Sequence, residues 1–464
     1  MIDGLKPYPA MKDSGVPWLG EVPGHWEIKR GKAIFRCIDI RSSTGDEELL
    51  TVSSDRGVVP RSSATVTMFK AESYIGYKLC WPGDLVINSL WAWGRGLGVS
   101  RHHGIVSSAY GVYRLQRSYG DYASYIHELV RSAPFNWELQ VRSKGIWVSR
   151  LQLTDEAFLG APFPMPPTEE QAAIVRFLDH ADRRIRRYIR AKQKLIKLLE
   201  EQKQAIIHQA VTGRIDVRTG QPYPAYKNSG VEWLGEVPEH WELSRVKNEF
   251  LCLNRCRIPL SGTERGAMAL RRYDYYGASG VIDKVDEYLF DDDLLLIAED
   301  GANLVLRNLP LAIIARGKFW VNNHAHILKP KRGNLEYLAA VMERINYQPW
   351  ISGAAQPKLT QDRLLSIAIV VAPREEQDRI VAAVYRDTEA LGMTIDRAQR
   401  EIALLHEYRT RLIADVVTGK LDVREAAARL PDEGDEPLPD AAEDESAPDE
   451  QADDLDALPE EAEA

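Results

Sequence analysis

Residues 8–26, YPAMKDSGVPWLGEVPGHW, return at 223–241 as YPAYKNSGVEWLGEVPEHW, with 15 of 19 positions identical. The copying resumes downstream, where LTDEAFL at 153–159 returns as LTQDRLL at 359–365. From there the register holds without a gap through EEQ (169–171 and 375–377) to VTGRIDVR (211–218) and VTGKLDVR (417–424). Between the copies lie two segments that scarcely resemble each other. Such a chain has to fold as two alike frames around unlike inserts. A frame present twice suits one kind of partner met twice, while each insert meets something of its own.

This order predicts a short repeat at 1–26, a variable domain at 27–166, a long helix at 167–218, and then the same again. The second set is a repeat at 219–241, a variable domain at 242–372 and a long helix at 373–424, followed by an acidic tail at 425–464. Each short repeat carries three aromatics, Tyr8, Trp18 and Trp26 or Tyr223, Trp233 and Trp241, among prolines and glycines that oppose helix. An extended segment pinned by aromatic anchors is expected, either as a lid on the following domain or as a docking surface for another protein.

From Thr168 to about Gln209 there is no Pro or Gly, and apolar residues recur at coiled-coil spacing: Ile174, Leu178, Ala181, Ile185, Tyr188, Leu195, Leu199 and Ile206. The later copy runs Ile380, Val384, Leu391, Thr394, Ala398, Leu405, Tyr408 and Leu412. Thr168 with Gln171 forms a capping-box pattern, and Gly213 supplies a stop. Roughly 40 residues at 1.5 Å each make a rod of about 60 Å. Two such helices in one chain pair most simply with each other, antiparallel, with bundling against another protein as the alternative. The variable segments mix strand-like runs (GDLVIN, DDLLLIA) with short amphipathic helices (YASYIHELVR, LEYLAAVMERI), an α+β pattern.

The net charge of −9 hides an uneven distribution. Residues 431–464 hold 16 Asp or Glu and no Lys or Arg, the composition of a disordered tail. Without them 59 Lys and Arg face 52 Asp and Glu, a net charge of +7 that permits a polyanionic partner. Cys37, Cys80, Cys252 and Cys256 are too few for a disulfide framework and lack the spacing of a zinc site. With no apolar run able to cross a bilayer and no signal peptide, a cytoplasmic protein without membrane contact is expected.

Catalytic patterns are lacking. The chain has no GxxxxGK[ST] phosphate loop, no dinucleotide-type GxGxxG after a strand, and no Asn-Pro-Pro or Asp-Pro-Pro methyltransferase segment. His324 and His326 read as alternating strand residues, and Glu299-Asp300-Gly301 as a turn with Gly301 at positive φ. Neither a catalytic residue nor a bound metal or cofactor is expected on this chain. What the variable segments do carry is loops mixing aromatics, cations, amides and glycines. The first offers Asn88, Trp91, Trp93, Arg95, Arg101, His102, His103, Ser107, Ser108 and Tyr110. The second offers Arg271, Arg272, Tyr273, Tyr275, Tyr276, Asn303, Arg307, Lys318, Trp320, Asn322, Asn323, Gln356 and Lys358. Arg and Lys can pair with phosphates or guanine edges, and Asn or Gln with adenine, so the clustering of these residues in both segments suits contact with a nucleic acid.

Taken together, the WLGxVPxHW repeats, GAAQPKLT at 353–360, PPTEEQ and APREEQ opening each long helix, and VTGxxDVR closing it resemble the specificity (S) subunits of type I restriction–modification systems. GIVSSAYGVYRL and LLLIAEDG…GKFWVNNHAHIL are similar to pieces of that family's target recognition domains. One departure is SKGIWVSRLQLT in the first half where the second has SGAAQPKLT.

The resemblance implies two target recognition domains, each reading one half of an asymmetric bipartite site in double-stranded DNA, separated by an antiparallel coiled coil of pseudo-twofold symmetry. It implies that two methyltransferase (M) subunits dock on the helices and that restriction (R) subunits join them. S-adenosylmethionine, ATP and Mg2+ would sit on those partners. Two other classes remain open at this point: a self-sufficient nuclease or methyltransferase, whose motifs are lacking, and a coiled-coil scaffold with two protein-binding modules, which would leave the paired basic-aromatic loops without a purpose.

Overall fold

The structure is a computed structural model describing residues 5–64, 73–145, 151–231, 234–353 and 357–431. Trp233, Gln356 and residues 432–464 of the acidic tail lie outside the described residues. The start of that expected tail, from residue 425, is instead folded, in a short helix Arg424–Ala428 whose Ala427 is buried. The chain forms two compact units. One comprises residues up to Ala191 together with those from Glu401 onward, the other Lys192–Arg400.

In the first unit a four-stranded antiparallel sheet has the order Phe35–Cys37, Gly111–Leu115, Asp84–Ile87, Leu97–Val99. Successive strand residues point to opposite faces, and here both faces are covered. Leu85, Ile87, Leu97 and Tyr113 enter the main core with the helices Ala123–Arg131 and Ala133–Arg142. Val86 and Val112 face a smaller core built by Leu50, Val52, Val58, Cys80 and Val106. These last come from a hairpin, Leu50–Ser53 with Gly57–Pro60, and from the pair Lys78–Cys80 with Gly104–Val106.

The second unit repeats this plan with a different sequence. Its central sheet runs Phe250–Cys252, Ala325–Pro330, Leu294–Ala298, Ala312–Ala315, again antiparallel throughout. Leu295, Ile297 and Leu328 face the main core, while Leu294, Leu296 and Ile327 face a second one with Phe319 and Val321. The outer layer is here a full sheet in the order Gly280–Val285, Tyr273–Gly277, Lys318–Val321, Phe290–Asp291. Its middle pair is parallel, and the first unit keeps that parallel neighbour as the single bridge Leu49 to Ile105. Unlike sequences have thus been laid on one topology, which the sequence did not reveal.

Both long helices, Thr168–Val211 and Arg374–Val417, have 44 residues; the first ends two residues past Gln209, and both stop seven residues before the ends of their expected segments at 218 and 424. The first begins at Thr168 itself, so the expected capping box does not form. Gln171 instead donates to the Pro166 carbonyl at 2.7 Å, and Gln377 to that of Ala372 at 2.8 Å. In the first unit Ile174, Phe177, Leu178 and Ala181, from the start of the first helix, share a core with Leu412, Val416 and Val417, from the end of the second. In the second unit Ala210 and Val211, ending the first helix, share a core with Ile380, near the start of the second.

The expected heptad positions are only partly inward. Ile174, Leu178, Ile185, Ile380 and Leu412 are buried, whereas Leu199, Ile206, Val384, Leu391 and Leu405 are half-buried. Tyr188 and Leu195 are 57% and 38% exposed, and Ile189 is buried in their place. The inward stripe therefore steps by four residues from Ile185 to Ile189, as a 3.6-residue helix requires, where a strict 3.5-residue repeat selects Tyr188.

The short repeats close each unit as lids. Tyr8 and Trp26 are buried in the first core, and Trp18 packs edge-on to Phe135 at 5.6 Å. Glu170, from EEQ, lies beneath them and accepts from the Tyr8 hydroxyl, from Trp26 Nε1 at 2.9 Å and from His25 Nε2 at 2.7 Å. Glu376 repeats the arrangement with Tyr223, Trp241 Nε1 at 3.2 Å and His240 Nε2 at 2.8 Å. VTGxxDVR completes each site. The Asp216 amide donates to Gln221 O at 2.8 Å in one unit and the Asp422 amide to Lys6 O at 2.8 Å in the other. The copied motifs are copied because they pack on one another.

Candidate nucleic-acid interface

In both units the connection between the third and fourth strands of the central sheet, after Ile87 and after Ala298, leaves the core as a loop containing a short helical turn. These turns, Ala92–Gly94 and Asn303–Leu306, each end on an arginine in the left-handed region, Arg95 (φ 64°) and Arg307 (φ 53°). Arg271 (φ 40°) is the third such residue among the described non-glycines. Backbone of this kind costs of order 1 kcal/mol and marks positions where the surroundings dictate the chain path.

Several expected contact residues turn out to build these loops. Asn88 is buried and caps the Leu90 amide at 3.2 Å. Trp91 fills the space that side chains at Gly94 and Gly96 would need, and Trp93 Nε1 donates to Leu90 O at 3.0 Å. Ser107 accepts from the Ala109 amide, and Tyr110 holds Asn88 Nδ2 at 3.4 Å.

In the second unit Tyr275 is buried, with its hydroxyl accepting from the Leu260 amide at 3.1 Å and Arg265 over its ring. Trp320 donates to Ile258 O at 2.6 Å, and Asn322 caps the His324 amide at 2.8 Å. Asn303 holds both polar groups of Leu309, and Arg307 donates to the carbonyls of Ile345 and Glu343. Tyr273 and Tyr276 pack on Tyr288 and Phe319, and Lys318 lies over the Tyr288 ring.

Other candidates stay available at the surface. Arg101, His103 and Ser108 are exposed, His102 and Arg95 half-buried, and His103 lies 5.3 Å from the Trp81 ring. In the second unit Arg272 and Asn323 are exposed, and Arg271 stands 3.6 Å from Asp283. Lys358 reaches Glu299 at 3.3 Å.

Arg95, Arg101 and His102 come together with residues the sequence did not single out. They line a cleft of about 460 Å³ with Arg56, His127, Glu128, Arg131 and the long-helix residues Asp179, Asp182, Arg186 and Arg409. Arg131 spans its floor, donating to the carbonyls of Leu97 (2.7 Å), Ser54 (2.6 Å) and Asp55 (2.6 Å). Burial lowers its pKa to about 10. Burial likewise pushes His127 down to about 3, in keeping with its Nδ1 accepting from the Val99 amide at 3.2 Å. Glu128 is raised to about 7, first by burial and then by Asp179 and Asp182. These lie on a helix and a distant strand pair, so no local motif announces them.

Glu299 and His326 belong to a buried polar network in the second unit. Arg257 Nη1 donates to Glu299 at 2.5 Å, Asn254 Nδ2 meets His326 Nδ1 at 2.8 Å, and His326 Nε2 donates to Leu359 O at 2.7 Å. His326 is fully buried, and burial lowers its pKa. His324 lies outside, paired with Asp300 at 2.8 Å, and Gly301 takes φ 100°, as expected of the turn. Among the described residues no group of three or more His, Cys, Asp or Glu is placed to hold a metal ion. No helix there is long and apolar enough to cross a membrane.

Residues 238–386 match the family described as "Type I restriction modification DNA specificity domain". A Haemophilus influenzae protein, provisionally named a type I restriction enzyme specificity subunit, is 37% identical over 157 residues, 33% of this chain and 37% of that one. A Methanocaldococcus jannaschii protein, provisionally named the MjaX specificity subunit, is 23% identical over 271 residues, 56% of this chain and 59% of that one. The matched stretches therefore span less than two thirds of either relative. A solved chain from work on assembly and conformational transition of the type I R-M system superposes with a TM-score of 0.60 at 16% identity, covering 86% of this chain and 99% of its own. The resemblance to type I specificity subunits read from the repeats is thereby borne out.

Proposed function

We propose that the chain is the sequence-reading, non-catalytic subunit of a type I restriction–modification assembly. Residues 27–166 and 242–372 are two target recognition domains, each reading one half of a bipartite, asymmetric DNA site. The observation that carries this reading is one topology built twice from unlike sequences: the frame is kept while the exposed residues of the inserts differ. Arg101, His103 and Ser108 in one unit and Arg272 and Asn323 in the other are the exposed polar groups best suited to phosphates and base edges.

The two long helices form the spacer in this proposal, paired antiparallel with pseudo-twofold symmetry. Supporting it, each unit joins the start of one long helix to the end of the other. Exposed Tyr188, Leu198, Tyr385, Met393 and Leu404 give the helices apolar surface for partner proteins, two methyltransferase subunits in this reading, which restriction subunits then join. S-adenosylmethionine, ATP and Mg2+ act on those partners, and an adenine flipped from the duplex is methylated there. A cytoplasmic location follows from that role.

Mapping methylated adenines by long-read sequencing, with and without this gene, tests the proposal. A split, asymmetric motif that disappears with the gene is expected. An unchanged pattern of modified bases contradicts it.

A further inference from the structure

The first long helix carries a charge pattern that the duplicated frame does not share. Between Arg183 and Leu199 there are eight Lys or Arg and no Asp or Glu. The equivalent stretch of the second helix, 389–405, holds Glu389, Asp396 and Glu401 against Arg397 and Arg400. Packing of the repeats cannot require the basic run, because the copy does without it.

Arg187, Arg190, Lys194 and Lys197 follow at three- and four-residue steps, which keeps them on one helix face. Arg187, Lys194 and Lys197 are exposed and Arg190 half-buried, and none of the four has a hydrogen-bond or ion-pair partner among the described residues. Four like charges in a row repel, so such a stripe is stabilised by a polyanion. About three turns before Arg187, on the same face, Arg176 donates to the carbonyls of Leu430 (2.9 Å) and Pro431 (3.1 Å). The chain thus leaves the described structure at the head of the stripe, and the 33 residues that follow hold 16 carboxylates and no cation.

We propose that the acidic segment 432–464 binds the cationic face of the first long helix within the same chain, as an internal polyanion that shields it from unspecific nucleic acid. Reach is no obstacle. Lys197 lies about 30 Å along the helix from Arg176 at 1.5 Å per residue. Thirty-three residues are long enough to cover it, since a span of that length reaches about 30 Å even when coiled. Tethering supplies an effective concentration in the millimolar range, so weak, long-range attraction suffices.

Carbodiimide coupling of carboxylates to lysine amines in the full chain, read by mass spectrometry, tests this without any nucleic acid. Its outcome is therefore independent of the DNA-reading proposal. At about 0.01 M salt, where charges act over about 30 Å, tail carboxylates should join Lys194 and Lys197 at least fivefold more often than the exposed Lys32 and Lys227. The preference should vanish near 1 M salt. It should also vanish in Arg187→Glu/Arg190→Glu, which leaves both reporting lysines in place. Even labelling of all exposed lysines overturns the proposal, as do links formed between light and heavy copies in an isotopically mixed sample, or a preference untouched by the arginine changes. For the shielding role, a chain ending at Pro431 should bind an unrelated duplex at least fivefold more tightly at low salt. Equal affinity contradicts it.

Discussion

Gly419 lies against Pro23: a Cβ built on the glycine would meet the proline Cδ at 2.4 Å and the Trp26 ring at 3.0 Å. Gly213 stands in the same relation to Pro238 and Trp241, at 2.4 and 3.1 Å. Both glycines sit at positive φ, 78° and 70°. Each helix-ending VTG is therefore moulded to one WLGEVPxHW lid. The left-handed conformation costs a side-chain-bearing residue about 1–2 kcal/mol, and the forced contact with a rigid proline ring about 1–3 more. Gly419→Ala should lower the unfolding free energy by about 3 kcal/mol in a urea titration. A change below about 0.5 kcal/mol, the range of ordinary surface substitutions, would show that the lid is not seated there.

Glu376 links the other copied motifs, and its ionisation makes the closure pH-dependent. Burial favours the neutral carboxyl, but donation from Tyr223, His240 and Trp241 outweighs it and leaves the pKa below the usual glutamate value. A carboxylate depressed in the folded state stabilises fully above its unfolded pKa of about 4.3 and loses that contribution as pH falls through the folded value. Glu376→Gln should destabilise at neutral pH by about 1–3 kcal/mol through a weakened acceptor set. The gap from the parent chain should narrow below about pH 4. Urea midpoints of both chains from neutral to acid pH decide it, and parallel curves throughout would count against the carboxylate's role.

Glu128 has the opposite sign. With its pKa raised to about 7 by burial and by Asp179 and Asp182, the folded chain holds a proton that the unfolded chain releases above about pH 4.3. Stability is then lost progressively between those two values and stays lower above them. Glu128→Gln should be more stable than the parent above pH 7, by roughly 2 kcal/mol. That advantage should fade on acidification to about pH 4. A substitution that destabilises at every pH would show instead that the carboxylate makes a needed contact in the cleft.

The spacer role of the helices predicts a change in site geometry. Inserting four residues at matching points of both helices adds about 6 Å of rise with a small rotation. The assembled complex should then recognise the same two half-sites with a longer unread gap, as read by selection from randomised duplexes. An unchanged gap would mean that the helices do not set the distance.

How much of this was legible in the sequence follows from where each piece of information is stored. The frame was readable because its motifs are local strings copied intact, and the long helices because apolar periodicity is itself a local property. The heptad extrapolation missed Ile189 in favour of Tyr188, since a 3.5-residue repeat and a straight helix diverge within a few turns. The shared sheet was invisible, because strand partners such as Tyr113 with Leu85 or Leu328 with Leu295 are set by non-local pairing. In the loops, composition drew attention to the right places but could not separate anchors from exposed groups. Asn88, Tyr275, Trp320 and Asn322 hold the fold, while Arg101 and Asn323 face solvent. Polar side chains serve both purposes, and only their partners tell them apart.

The central claim is that each unit reads its own half of the site. It is tested most directly by selecting preferred sequences from randomised duplexes with the chain assembled on its methyltransferase partner, comparing the parent with Arg101→Ala and Asn323→Ala. Loss of one good base contact is worth about 1–3 kcal/mol of discrimination. Preference should therefore relax about tenfold or more at positions in one half for Arg101→Ala, and in the other half for Asn323→Ala. If both variants relax the same half, or both halves equally, the two units do not read separately and the account is wrong.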